Sequence, residues 1–256
     1  MKVQSIDRAF DIMEYLSQNP DGLSLTSISN KLNLPTSTVF RLLSVMKDRN
    51  YVSKNTSTNR YRLGLGCVEL TSLFLGSLEL KTEAQPYLRQ LSRQLEQVVF
   101  MGIEQDNELV YIDKYEQFNE RNNYCFIGQR HQLYCTSLGK SLLIDHSDAE
   151  IRKMYAKSGL KAYTSKTIVD IEELIKQIDQ NRKLQYSIDD EENLIDVYCV
   201  ASPIYDYRGK IIAAISTSWN LKTDGMKNLD RNIDCVKETA KEISKHMGFI
   251  KNNQKL

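Results

Sequence analysis

The sequence predicts an α+β chain of two domains joined by a helix. Three observations carry this. Helical hydrophobic spacing dominates the first 50 residues and ends in a short strand pair, an apolar helical stripe follows near 65–80, and the remainder mixes helices with period-two strands. At 256 residues with 41% hydrophobic content, the chain is long enough to build a core in each domain. The 34 Lys and Arg nearly balance the 33 Asp and Glu, yet their distribution is uneven. Residues 1–64 hold 9 basic and 5 acidic side chains, whereas 65–256 hold 25 and 28. Within 31–62, seven basic residues (Lys31, Arg41, Lys47, Arg49, Lys54, Arg60, Arg62) stand against one acidic residue, Asp48. Such a field attracts polyanions; a merely solvated basic face is the other reading of the same charges.

Ile6, Ala9, Phe10, Met13 and Leu16 recur at helical spacing behind Ser5, the expected N-cap, and Asn19-Pro20-Asp21-Gly22 ends the run. Leu25, Ile28 and Leu32 mark a second helix, broken at Asn33-Leu34-Pro35. A third starts there, since proline fits a first helical turn. In it Val39, Leu42, Leu43 and Met46 form the core stripe, with Ser37, Phe40, Arg41 and Ser44 on the other side. Two helices joined by a tight turn, the second with hydroxyls and an arginine outward, is helix-turn-helix geometry. Tyr51-Val52-Ser53 and Arg60-Tyr61-Arg62-Leu63 then read as two strands around a polar loop, a wing. The chemistry suits DNA: a helix for the major groove, arginine for guanine edges or phosphates, hydroxyls and N–H groups for the backbone. A small helical subdomain packed on the rest of the protein satisfies the same periodicity.

The runs Gly22-Leu23-Ser24-Leu25-Thr26-Ser27-Ile28, Leu34-Pro35-Thr36-Ser37-Thr38-Val39-Phe40-Arg41-Leu42-Leu43 and Arg60-Tyr61-Arg62-Leu63-Gly64 resemble the winged-helix domain of IclR-type bacterial transcription regulators. The resemblance implies double-stranded DNA, as a palindromic operator, for a partner. It places DNA contacts on Thr38 and Arg41 and lets Arg8 of the first helix reach the backbone; Thr36, Ser37, Phe40 and the wing's Arg60 complete the expected set. Asn50 stands where the family usually has glycine before the wing, and asparagine tolerates the left-handed conformation.

Between 65 and 80, Cys67, Leu70, Phe74 and Leu78 keep a helical stripe, with Val68 and Leu75 beside it. This predicts a rigid connecting helix over 65–81 between a first domain at 1–64 and a second at 82–256. Its apolar surface needs more than one neighbour, either the chain's own C-terminal domain or another copy. The resemblance implies the copy: a homodimer, commonly a dimer of dimers.

In the second domain, Ala84, Tyr87, Leu88, Leu91 and Leu95 mark a helix near 82–97 that starts or bends at Pro86. Strands follow at 98–104, 109–115 and 124–134, then helices near 137–146, 148–157 and 170–183. Tyr198–Tyr205 and Lys210–Trp219 form a hairpin around Asp206-Tyr207-Arg208-Gly209, and a last helix carries Leu229, Ile233, Val236, Ala240, Ile243 and Met247. On the second hairpin strand Ala214, Ser216 and Ser218 share a face, as do Cys199 and Ala201 on the first. Thr136-Ser137-Leu138-Gly139 opens a helix whose N–H groups suit an anion. Together these predict a cleft for a small carboxylate; capping and filling of an ordinary core is the alternative use of the same residues.

Thr136-Ser137-Leu138-Gly139-Lys140, Asp189-Asp190-Glu191-Glu192, Cys199-Val200-Ala201-Ser202-Pro203-Ile204 and Ala214-Ile215-Ser216 resemble landmarks of the IclR-type effector domain, a GAF-like mixed α/β fold. The resemblance implies effector contacts from the backbone of Ser137 and Leu138 and from Asp189, Cys199, Ser216 and Ser218. It implies a small organic acid, such as a keto acid or sugar acid, as effector. Asp196 replaces a frequent family glycine at the pocket rim. Ile127-Gly128-Gln129-Arg130 and His246-Met247-Gly248-Phe249 are similar to the branch that regulates ketodeoxygluconate and pectin catabolism.

Several classes are excluded. Asp7, Arg8, Asp11 and Glu14 leave no secretory apolar core, and no later stretch approaches a membrane span, so a soluble cytoplasmic protein without a membrane partner is expected. Five cysteines without a C-x-x-C predict unpaired thiols in a reducing compartment. His131, His146 and His246 make no metal-ligand spacing, and His131 with Cys135 lacks a third ligand. Gly139-Lys140-Ser141 mimics the end of a phosphate loop whose required first glycine is Tyr134. No metal, cofactor or catalytic residue is expected. The reading is a ligand-responsive DNA-binding regulator, a repressor of a catabolic operon; the alternative is a ligand-binding or catalytic protein whose winged helix serves protein contacts.

Overall fold

The computed structural model describes residues 3–76, 79–116, 125–225 and 228–249, the side chains of 71–76 and 79 excepted. The chain divides into two compact units, Met1–Leu78 and Glu79–Leu256.

In the first unit, α1 (Gln4–Ser17), α2 (Leu25–Leu32) and α3 (Thr36–Asp48) are followed by the antiparallel pair β1 (Val52–Lys54) and β2 (Tyr61–Leu63). Ile12, Leu16, Ile28, Val39, Leu43, Met46, Val52 and Tyr61 form its core. The expected cap Ser5 lies inside α1, because Val3 is the N-cap and its carbonyl accepts from Ile6 and Asp7; Asp7 meets the positive end of the helix. Ser24 caps α2, accepting from the Ser27 N–H at 3.1 Å, and Asn33 ends it at φ 50°. Asn50 turns into the wing at φ 61°, the conformation expected of a residue in a glycine's place. Gly22 sits at φ 80°, and a Cβ there would lie 2.9 Å from the Tyr61 carbonyl, so the turn after α1 can close on β2 only with glycine. The helix α4 (Leu65–Gly76) follows. Of its expected stripe, the side chains of Phe74 and Leu75 and all of Leu78 lie outside the described residues.

The second unit opens with α5 (Glu79–Leu95), which buries Ala84, Leu88, Leu91 and Leu95. Pro86 lies inside this helix instead of at its start, on an exposed position. Then come β3 (Val98–Gln105), β4 (Glu108–Tyr115), β5 (Arg130–Gln132), α6 (Ser137–Leu142), α7 (Asp148–Tyr155) and α8 (Ile171–Leu184). The chain continues through β6 (Ser187–Asp190), β7 (Val197–Tyr205), β8 (Ile211–Asn220), α9 (Leu221–Asp224) and α10 (Leu229–His246). The strands form one antiparallel sheet in the order β5-β4-β3-β8-β7-β6. α5 and α10 pack on each other and on the sheet, and α6 packs on β7, β8 and β6.

Two expectations need correcting. The strand expected at 124–134 is reduced to β5, because 126–129 form a turn in which Phe126 donates its N–H to Gln129 Oε1 and Tyr111 donates to the Gln129 carbonyl; residue 124 lies outside the described residues. The strand β6 has no counterpart in the sequence reading. Its inward positions are Ser187 and Asp189, so hydrophobic alternation is absent. Among the described residues, no helix is long and apolar enough to cross a membrane.

Candidate functional site

The exposed positions of α3 and its core positions lie on opposite faces of the helix. Val39, Leu43 and Met46 are buried, while Thr36, Ser37, Phe40 and Arg41 are exposed; Phe40 keeps 52% of its surface. Thr38 falls at the edge of the core stripe and is half-buried. No side chain caps the helix, since Pro35 is the N-cap; its carbonyl takes the Thr38 and Val39 N–H groups, which leaves those of Thr36 and Ser37 without an intrahelical acceptor. The Thr36 hydroxyl sits 3.3 Å from Ser29 Oγ, tying the second helix to the start of the third. Arg8 is half-buried on α1. Arg60 is exposed just before β2, and its Nη1 donates to the Gly22 carbonyl at 3.5 Å. Lys31 lies over the Tyr15 ring and Lys54 over the Tyr61 ring, at 5.9 and 5.4 Å, so both ammonium groups stand at the surface on aromatic supports.

In the second unit, the six residues assigned to the effector from sequence all line one cavity of about 30 Å³: Ser137, Leu138, Asp189, Cys199, Ser216 and Ser218. Strand register brings them together across long sequence distances. Asp189 pairs with Cys199 on β7, and Cys199 pairs with Ser218 on β8, so the three stand in a row across adjacent strands. One step along, Ala201 pairs with Ser216, which pairs in turn with Phe100 of β3. The start of α6 lies over this face. Thr136 Oγ1 accepts from the Gly139 N–H at 3.1 Å and donates to the Gln132 carbonyl at 3.1 Å, while the N–H groups of Ser137 and Leu138, in the first turn, have no intrahelical acceptor. Gly139 is required here for packing, because a Cβ would lie 2.3 Å from the Leu133 carbonyl oxygen.

The sequence reading missed the rest of the wall: Phe100, Tyr111 and Cys125 on one side, Thr136 beside α6, and Asn193, Leu194 and Val197 in and after the turn that follows β6. That turn is tied down from behind. Thr164 Oγ1 donates to the Glu191 carbonyl at 2.6 Å and Thr167 Oγ1 to that of Glu192 at 2.5 Å. Lys140, fully buried, pairs with Glu192 and donates to Gln177 Oε1 at 2.9 Å. Both Lys140 and Glu192 fall within motifs singled out from sequence, but nothing in those motifs marks the two as a buried pair.

Burial dominates the electrostatics of the cavity. It pushes the Asp189 carboxyl up to about 7, against the pull of Lys140 and with the help of Glu192. It raises the thiols of Cys199 and Cys125 above their ordinary range, and Ser218 Oγ donates to Cys199 Sγ at 3.0 Å. Cys125, Cys135, Cys199 and Cys235 are all free thiols. Larger surface depressions exist, one of about 780 Å³ beside α8 and α10; Lys183, Lys241 and Lys245 line it exposed, and the hydroxyls of its two buried serines, Ser202 and Ser244, are spent on the Gln185 and Ala240 carbonyls.

Residues 5–56 match the IclR helix-turn-helix domain, and residues 72–245 match the bacterial transcriptional regulator IclR C-terminal domain. The chain is 30% identical over 246 residues to the HTH-type transcriptional repressor AllR of Escherichia coli, covering 96% of this chain and 91% of that one. It is similar to the crystal structure of Thermotoga maritima IclR, with a TM-score of 0.83 and 27% identity over 97% of this chain and 100% of that one. An IclR homolog from Microbacterium hydrocarbonoxydans, complexed with 4-hydroxybenzoate, shares the fold at a TM-score of 0.81 and 19% identity, over 95% and 98% of the two chains. A helix-turn-helix domain followed by a domain of the IclR C-terminal kind thus has its counterparts among transcription regulators. The chain belongs to the IclR family of bacterial transcriptional regulators.

Proposed function

We propose that this protein is a ligand-responsive, sequence-specific repressor of a catabolic operon, released from a palindromic operator by a small organic acid. The convergence of the six effector candidates on one buried cavity carries this reading. The exposed α3 face supports Thr36, Ser37, Thr38, Phe40 and Arg41 as operator contacts, with Arg8 and Arg60 on phosphates. The repressor AllR supports the sign of regulation, and the 4-hydroxybenzoate complex of a family member supports ligand response. A cavity of about 30 Å³ has room for roughly two waters, so the effector is a keto acid or sugar acid small enough to enter by displacing Leu194, the lining side chain that is 39% exposed. Two copies of the chain, or a dimer of dimers, match the two half-sites of such an operator.

Binding of the full-length protein to its own upstream DNA, followed across a salt series, tests the first half. A steep fall of log K with log salt is expected from phosphate neutralisation. A flat response would instead favour protein docking by the winged helix. A thermal-shift screen of keto acids and sugar acids, ketodeoxygluconate included, tests the second half: the stabilising acid should also release the operator.

A further inference from the structure

Resting on the reading of this cavity as the effector site, we propose that the effector carboxylate binds together with one proton, held by Asp189, which enters the complex as a neutral hydrogen-bond donor. Among the described residues, no lysine, arginine or histidine lines the cavity. The buried cation behind it, Lys140, is already engaged by Glu192 and Gln177. Asp189 is 3% exposed, and its Oδ1 accepts the N–H groups of Glu192 at 2.8 Å and Asn193 at 3.3 Å. Among the described residues its second oxygen, Oδ2, makes no hydrogen bond. In a space of about 30 Å³, a second carboxylate has nowhere to sit except close to the first. Two carboxylates sharing one desolvated site retain a proton between them, and Oδ2 is the oxygen free to carry it.

The groups facing Asp189 leave it as the proton carrier. Burial raises the phenols of Tyr111 and Tyr198 and the thiols of Cys125, Cys135 and Cys199, so all stay neutral at neutral pH. Burial also raises Glu192, whose Oε1 pairs with Lys140 and whose Oε2 is buried without a partner among the described residues, but Glu192 does not line the cavity and so does not meet a ligand there. With its carboxyl at about 7, Asp189 is near half-protonated in the empty protein at neutral pH. Below that pH the proton is in place, and carboxylate affinity is flat. Above it, binding must draw a proton from solvent, so affinity falls by up to about tenfold per pH unit until the pKa of the complex is passed.

Isothermal titration of the full-length protein with acetate and with neutral acetamide, at about pH 6 and about pH 8.5 and in two buffers of different ionisation enthalpy, tests this. Acetate should take up close to one proton at the higher pH and weaken at least about tenfold across the range, while acetamide takes up none. Asp189→Asn, whose amide donates at every pH, should bind acetate with no pH dependence at about the wild-type affinity of the lower pH. Constant acetate affinity with no proton uptake would overturn the proton linkage and leave the effector site standing. Absence of acetate binding at both pH values would overturn the carboxylate reading of the cavity itself. Should Asp189→Asn fail to fold, the proton count on the wild-type protein decides alone.

Discussion

Arg41 stands exposed on α3 with no hydrogen bond or ion pair among the described residues, on the side of the helix opposite Val39 and Leu43. Its truncation removes a donor fork without disturbing the core. Arg41→Ala should therefore cost about 1–3 kcal/mol of specific operator binding at unchanged melting temperature. Arg60→Ala should weaken all duplexes alike, as a phosphate contact does; competition binding against scrambled DNA separates the two. In the other unit, Ser216 and Ser218 stand on one strand face and reach the cavity from adjacent register positions. Ser216→Ala and Ser218→Ala should each weaken effector binding by about 1–2 kcal/mol in calorimetry, with operator binding in its absence retained. Loss of folding in either variant would instead mark a serine needed by the core.

At the scale of the element, α6 is short and wholly buried, and it depends on Gly139 for its approach to Leu133. Gly139→Ala drives a Cβ into the Leu133 backbone of the segment leading into α6 and should destabilise the domain by about 1–3 kcal/mol, with effector binding lost, as read by thermal melts with and without ligand. From sequence, Gly139 shows only as a phosphate-loop look-alike, because a close approach between backbones leaves no trace in local periodicity. The helices were legible wherever an apolar stripe met a cap or a breaker, as in α2 between Ser24 and Asn33. The hairpin β7–β8 was legible through its turn, closed by Gly209 at φ 77°. β6 was not, since Ser187 is buried for a hydrogen bond to the Ser137 carbonyl at 2.8 Å and Asp189 for the cavity. The effector candidates quoted in sequence motifs line one cavity; the residues on its far wall, such as Tyr111 and Asn193, arrive by sheet register and turn placement, which no linear motif encodes.

For the whole molecule, the exposed apolar surface of the first unit is its most consequential feature. Val3, Ile6 and Phe10 follow helical spacing on α1 at 48%, 53% and 59% exposure, and Leu65, Val68 and Leu70 on α4 range from 55% to 74%. Clusters of this kind call for a partner surface, and the second copy proposed above would supply one while setting two recognition helices on one operator. The double variant Phe10→Asp with Val68→Asp should sediment as a smaller species and lose operator affinity, while its melting temperature holds because neither side chain belongs to the core. Unchanged sedimentation would overturn the proposed pairing of copies through this surface.

The strand order of the second unit also bears on how the chain comes off the ribosome. Its central pair joins β3 to β8, and Thr217 donates to Gln97 Oε1 from 120 residues away. The middle of the sheet cannot zip until nearly the entire second unit has been made, and closing so long a loop is slow. The first unit, by contrast, draws its core from neighbours in sequence and emerges first. Its reading head should be native while the sensor is still being synthesised. Refolding from denaturant should accordingly show a fast phase from the N-terminal tyrosines and a later one from Trp219, the only tryptophan in the chain and a residue of β8.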